Sequence, residues 1–257
     1  MMTALGHSLE RVILINALRT TVFRYFTDSE RFAAWWGAGS RIDGRPGGAL
    51  AIRYPNGVTA SGTVVELVAP ERIVFTYGYD DPGKPIPPGG SRVTVTLEEH
   101  PAGTRLRLRH DFADAAVRDH HVAGWRYQLA VFANVAAREE HADVAARVDR
   151  YFALWADADP AARREGLRLV LTEDAAFHDA FGCTTGLDDL DAHVGAAQAH
   201  MPGVRLERAG EVRHCQGTAL ADWVALGPDG QPRGAGTNVF DLAPDGRFRR
   251  VVGLWRP

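Results

Sequence analysis

Residues 176–182, "AFHDAFG", set an imidazole and a carboxylate side by side between two phenylalanines. A carboxylate held between Phe177 and Phe181 would be partly stripped of water, and a desolvated acid beside a substrate carbon is suited to general-base work. The same Asp179, followed by Ala180 and Gly182, also suits a tight turn, where its carboxylate would bond backbone amides. Both readings are open at this level. His178 alternates with Asp179 along a strand and is expected on the opposite side. Asn238 shares a face with Phe240 and Leu242, and an amide pointing where apolar groups point needs buried partners. Asp222, between Leu220 and Val224 on one face, is a rival acid unless the strand turns Trp223 inward instead. Tyr151 sits on the apolar side of a helix with Val148, Phe152 and Trp155, either as core or as a neutral donor. His193, His200 and His214 have no convincing ligand spacing, so neither a metal nor another cofactor is expected.

The first half has a different set of polar groups among rings. His121 and Trp125, four residues apart, share a helix face, and Gly124 between them allows close approach to a sheet. His110 ends an inward-facing strand row, and Tyr54 and Tyr77 also fall on apolar faces. They either line an amphiphilic ligand cavity or fill a core.

Composition bounds the partners. With 257 residues, 46% hydrophobic and 24% charged, the chain is long enough for two ordinary globular domains. A net charge of −3 gives no bulk attraction for nucleic acid. Lys84 is the only lysine, a coding bias without functional content. Arg105, Arg107 and Arg109 alternate along one strand, which makes them a wet face before it makes them a polyanion site. Cys183 and Cys215 alone can build neither a disulfide framework nor a thiolate metal site, so a reduced, cytoplasmic protein is expected. The apolar run Val12–Ala17 lacks a basic leader and a cleavage site, so no signal peptide is expected, and no stretch approaches a membrane span.

The elements that must position these residues fall into two sets. A strand at Val12–Ala17 precedes helical spacing through Val22, Phe23 and Phe26, then Phe32, Trp35 and Trp36, with Asp28 or Ser29 as cap. Period-2 rows follow at Leu50–Tyr54, Ile73–Tyr79, Val93–Leu97 and Leu106–His110, joined by the turns "YPNG" and "HPAG". "DDPGKPIPPGG" reads as an extended, mobile loop. A long helix over about Asp114–Glu140 then lies across a curved antiparallel sheet. The second set opens with a helix near 143–156. Another follows, capped by Asp159 with Pro160 in its first turn. Next come the strand of residues 175–182, a helix over 187–200, and strands near 204–214, 218–226, 234–242 and 247–255, with "GPDG" and "APDG" as hairpin turns.

At this point the residues carry two resemblances. "VFRYFTDSERFAAWWG", "PERIVFTYGY" and "HHVAGWRYQLAVF" resemble the START-like helix-grip superfamily (SRPBCC), more narrowly domains of the activator of the heat-shock-protein-90 ATPase. Residues 141–257 are similar to the SnoaL-like group of the nuclear transport factor 2-like superfamily. The implied fold class is α+β in two domains, 1–140 and 141–257, a helix-grip and then a cone-shaped α+β barrel. The second superfamily includes ketosteroid isomerase and polyketide cyclases. In the isomerase pattern, Asp179 of "FHDAFG" would move the proton, while Tyr151 of "VDRYFALW" and Asn238 of "GTNVFDL" would hold the oxyanion. Asn238 departs from the acid usual at that place and is a weaker donor.

The expected function is therefore binding of a hydrophobic small molecule with carbonyl or phenol groups, with proton-transfer isomerisation or cyclisation in the second half. Catalysis would rest on Asp179, Tyr151, Asn238 and His178. Tyr54, Tyr77, His110, His121 and Trp125 would meet a ligand in the first half, and Trp155, Phe177, Phe181, Asp222 and Phe240 in the second. The alternative is a chaperone-associated or stress-related binding protein, or a carrier, with the second half forming a homodimer. Neither nucleic acid nor membrane is expected as a partner.

Overall fold

The computed structural model describes residues 4–256. Its contacts divide the chain into two compact units, Met1–Glu139 and Glu140–Pro257.

In the first unit, β1 (His7–Ile15) precedes two short helices, α1 (Arg19–Arg24) and α2 (Ser29–Trp36). Asp28 caps α2, its carboxylate accepting from the Arg31 amide at 3.0 Å, which satisfies a donor the first turn leaves open. Six strands follow: β2 (Arg41–Ile42), β3 (Ala49–Arg53), β4 (Thr59–Val68), β5 (Arg72–Tyr79), β6 (Ser91–His100) and β7 (Gly103–Phe112). They join β1 in an antiparallel sheet of order β1-β7-β6-β5-β4-β3-β2. The long α3 (Ala115–Glu140) buries His121, Trp125, Leu129, Phe132 and Ala136, at spacings of three and four, against the inward rows Ile73–Phe75–Tyr77 and Leu106–Leu108–His110. Each fully buried ring contributes about 1.5–3 kcal/mol.

The Pro/Gly stretch is not an extended loop. Residues 80–90 fold back so that Ile86 enters the core and its carbonyl accepts from the Tyr79 amide at 2.8 Å. Gly78 permits this, because a Cβ there would drive into the Pro87 carbonyl.

The second unit runs α4 (Val144–Leu154), α5 (Pro160–Val170), β8 (Leu171–His178), β9 (Cys183–Thr185), α6 (Leu187–His200), β10 (Arg205–Cys215), β11 (Thr218–Leu226), β12 (Pro232–Leu242) and β13 (Phe248–Trp255). Asp159 caps α5 with Pro160 in its first turn. The sheet order is β10-β11-β12-β13-β8-β9, antiparallel except where β13 meets β8 in parallel. With β10 and β9 as edges among the described residues, the sheet curves around its helices without closing, so the expected barrel is an open cone wall. Both units are thus α+β, each a mainly antiparallel sheet wrapped on helices.

Candidate functional site

In the second unit, alternation along β8 sends Phe177 into the core and His178 to the other face, paired across the sheet with Cys183. The chain then turns tightly. The Asp179 amide donates to the Gly182 carbonyl at 2.9 Å. Asp179 itself is half-buried. Its Oδ1 accepts from the Phe181 amide at 2.8 Å, and its Oδ2 faces Nε1 of Trp255 at 3.3 Å. The residue therefore serves as a turn acid on one oxygen and meets an indole donor on the other.

Phe181 does not close a greasy pocket over it. At 74% exposure it stands outside the turn and meets Trp255 edge-on, with ring centres 5.4 Å apart. It is the i+2 residue of a four-residue turn, and the chain carries its side chain outward there.

Asn238 is buried, and its Oδ1 accepts from Nε1 of Trp223 at 2.8 Å. That donor fixes the amide orientation and leaves its NH2 for another acceptor. Trp223 and Trp255 pack edge to face at 4.8 Å. Asp179 and Asn238 meet across Gly253, where an added Cβ would lie 3.2 Å from Cβ of Asp179 and 3.3 Å from Oδ1 of Asn238. Glycine at 253 is thus what lets acid and amide share one space.

Tyr151 is wholly buried among Phe152, Trp155, Phe240 and Phe248. Its hydroxyl has no hydrogen-bond partner, and neither has the buried Nε1 of Trp155. Burial raises the phenol's pKa far above its ordinary value of 10.0. The Asp179 charge adds to this, and the Trp155 indole opposes it. Tyr151 therefore stays a neutral donor. Buried donors without acceptors are rare, and two at one place call for an explanation.

Asp222 stands apart. The buried row of β11 is Ala219, Ala221, Trp223 and Ala225, so Asp222 lies on the opposite face, beside Thr237 and paired with Arg256 at 2.7 Å. The Thr237 hydroxyl first, then Arg256, hold its carboxyl below the ordinary range. Leu220 and Val224 do share its face, but that face is only half-buried. The expectation that Asp222 borders the ligand is corrected accordingly.

Two residues that drew no site role from the sequence stand at the centre. Trp255 bonds Asp179. His193 on α6 packs on Phe177 at 5.4 Å and on Trp155 at 5.9 Å. Its place one turn beyond Leu190 and next to Val194, at the border of the buried stripe of α6, is the available signal.

In the first unit the polar groups bond one another. Tyr54 and Tyr77 join hydroxyl to hydroxyl at 2.8 Å, and burial raises both phenols' pKa values. Trp125 donates to Nδ1 of His110 at 2.9 Å, so Nε2 carries the proton towards Ser91 Oγ at 2.8 Å, and Ser91 donates to the Tyr77 carbonyl. His121 donates from Nδ1 to the Val117 carbonyl and faces the Tyr79 hydroxyl through Nε2. The structure thus brings all five first-half candidates into one network of rings.

Burial holds His110 well below its ordinary pKa of 6.5 and lowers His121 as well. Unfolding releases both to take up protons, so their neutral burial costs nothing above about pH 6.5 and costs stability as pH falls below it. Each is expected to remove up to about 1.4 kcal/mol per pH unit. Calorimetry between pH 7 and 5.5 should show the melting temperature falling, with a shallower slope in His110→Phe. An unchanged slope in that variant would show that His110 is protonated in the fold.

Over residues 16–137 the chain matches the family described as activator of Hsp90 ATPase homolog 1-like protein. That match lies within the first unit. No curated protein matches the chain. Among solved structures, an isomerase candidate of the SnoaL-like family from Agrobacterium tumefaciens is 26% identical, covering 46% of this chain and 99% of its own, with a TM-score of 0.43. CalU16 from Micromonospora echinospora is also 26% identical, over 51% of this chain and 82% of its own, with a TM-score of 0.41. The Aha1 dimer from Colwellia psychrerythraea is 17% identical, over 48% and 90%, with a TM-score of 0.42. No helix among the described residues is long and apolar enough to cross a membrane.

Proposed function

We propose that the second unit binds a ring-bearing ketone and moves a proton at the carbon beside its carbonyl. The observation that carries this reading is the meeting of a half-buried carboxylate with buried donors that have no acceptor. Asp179 and Asn238 both approach Gly253, Tyr151 Oη and Trp155 Nε1 lie unpartnered, and Tyr151 feels the Asp179 charge. A carbonyl oxygen is the neutral acceptor such donors fit. Asp179 would take the α proton while the C–H electron pair forms the enolate double bond and the carbonyl pair moves onto oxygen. Tyr151, Trp155 and the Asn238 NH2 would hold that oxyanion, and return of the proton to the same or a conjugated carbon completes the cycle. Fixed donors in a water-poor site stabilise developing charge because they need no reorganisation.

The probe is 2-tetralone in deuterated buffer, with hydrogen–deuterium exchange at its α carbon followed by NMR. Saturable exchange above the buffer rate is expected, slowed about tenfold or more in Tyr151→Phe by loss of one oxyanion donor. Exchange at the buffer rate in the wild-type protein would remove catalysis from the reading.

A binder without chemistry is the second reading. It is favoured by the bond from the Phe181 amide to Asp179, which gives that carboxylate a purely structural use.

A further inference from the structure

His193 has no hydrogen bond to the described residues, although its ring is enclosed on three sides. Phe177 lies along one face with 40° between ring planes, and Trp155 meets it at 85°. The third side is the Asp179 turn. A Cβ at position 182 would sit 2.5 Å from Cε1 of His193, so Gly182 is what allows the imidazole to press against that turn. The ring is half-buried, and neither nitrogen is among the sealed, unpartnered polar atoms, so the imidazole remains open to a polar group from outside.

The ring is also held in place. Two residues before it, Asp191 accepts from buried Arg163 at 2.6 Å. Five residues after it, Gln198 donates to the Trp155 carbonyl at 3.0 Å and the Asp157 carbonyl at 2.9 Å, and accepts from Arg163. The segment of α6 carrying His193 is therefore clamped to the chain that carries Trp155, whose indole N–H lacks an acceptor. Functional groups on clamped helices keep their geometry better than groups on loops.

We propose that His193 hydrogen-bonds a second oxygen of the ligand, so that the site takes ketones or phenols bearing a further hydroxyl, carbonyl or carboxylate, in preference to singly oxygenated ones. This rests on the proposed ketone site, with Tyr151 and Asn238 holding the first oxygen and His193 the second. Its role is selective rather than chemical. Either ring nitrogen can present an N–H or a lone pair, which suits several oxygen functions.

The test is calorimetric titration of the full chain with 2-naphthol, whose planar phenol has the shape of an enolised tetralone, and with 2,6- and 2,7-dihydroxynaphthalene. At least one diol should bind about tenfold more tightly than 2-naphthol, the worth of one well-placed hydrogen bond. His193→Phe, which keeps the ring stacking, should abolish that advantage while leaving 2-naphthol affinity within about twofold. His193→Gln should retain part of it, and stands in should His193→Phe fail to fold. A diol advantage that is missing in the wild-type protein, or that survives both substitutions, overturns the inference. Tyr151→Phe separates the two proposals, because it should weaken 2-naphthol and both diols alike. If it changes none of them while the diol advantage still depends on His193, the oxyanion site falls and the contact at His193 stands. Absence of saturable binding by all three compounds overturns both.

Discussion

Asp179→Asn is expected to slow α-carbon exchange of 2-tetralone by about 10³-fold, within the range a positioned general base supplies. The amide cannot accept the proton, yet it is almost isosteric with the carboxylate. Its oxygen can still accept from the Phe181 amide, so the turn from 179 to 182 should hold. The other position then sets an NH2 against Nε1 of Trp255, two donors facing each other, which should cost about 1 kcal/mol. Binding of 2-naphthol should change little, since Tyr151 and Asn238 remain. Trp255→Phe should slow exchange less, because it frees one carboxylate oxygen without removing the base. The informative pattern is a large loss of exchange beside small losses of stability and affinity. Exchange that survives in Asp179→Asn would leave the residue as a turn acid and hand the site to the binder reading.

The sequence was informative wherever the signal was local. The helix at Leu187–His200, the strand at Thr218–Leu226 and the caps at Asp28 and Asp159 lie where periodicity and side-chain capping put them. What failed needed a partner surface. Alternation divides β11 into two rows, but only packing shows that Trp223 faces in and Asp222 out, and the opposite choice would bury the Asp222 carboxylate along with Leu220 and Val224. The "AFHDAFG" pattern set phenylalanines on both sides of Asp179 in sequence. The turn then separated them, burying Phe177 and leaving Phe181 outside against Trp255. Ile86 was concealed by its setting among prolines and glycines, where composition outweighed a single apolar side chain. His193 reads in the sequence as one of three scattered histidines, although its place at the border of the buried stripe of α6 sets it apart from His200 and His214. Neither Trp155 nor Trp255 could be assigned its polar neighbour from spacing, since one partner is absent and the other lies 76 residues away.

Arg163→Leu should destabilise the second unit by about 3–5 kcal/mol, the usual cost of removing one member of a buried ion pair. Arg163 is buried, with 5% of its side chain exposed, while that of Asp191 is 16% exposed. The guanidinium also donates to the Asp157 carbonyl at 3.1 Å and to Gln198 Oε1 at 3.2 Å, so its loss strands Asp191 and Gln198 Oε1 and leaves the Asp157 carbonyl with Gln198 Nε2 alone. Surface pairs such as Arg205–Glu207 should matter far less, because water already solvates both partners. The melting transition of the second unit should fall by on the order of 15 °C. Adding Asp191→Leu should recover much of that, since two apolar side chains leave no charge unpaired. The recovered protein then makes a sharper test than the single variant. It restores stability but removes the Arg163–Asp191 half of the clamp, leaving only the Gln198 bonds to tie α6 to the chain carrying Trp155. If the clamp sets the place of His193, the double variant should melt near the wild-type temperature, bind 2-naphthol normally and lose the preference for dihydroxynaphthalenes. A double variant that keeps that preference would show that the ring contacts with Phe177, Trp155 and Gly182 position the imidazole unaided.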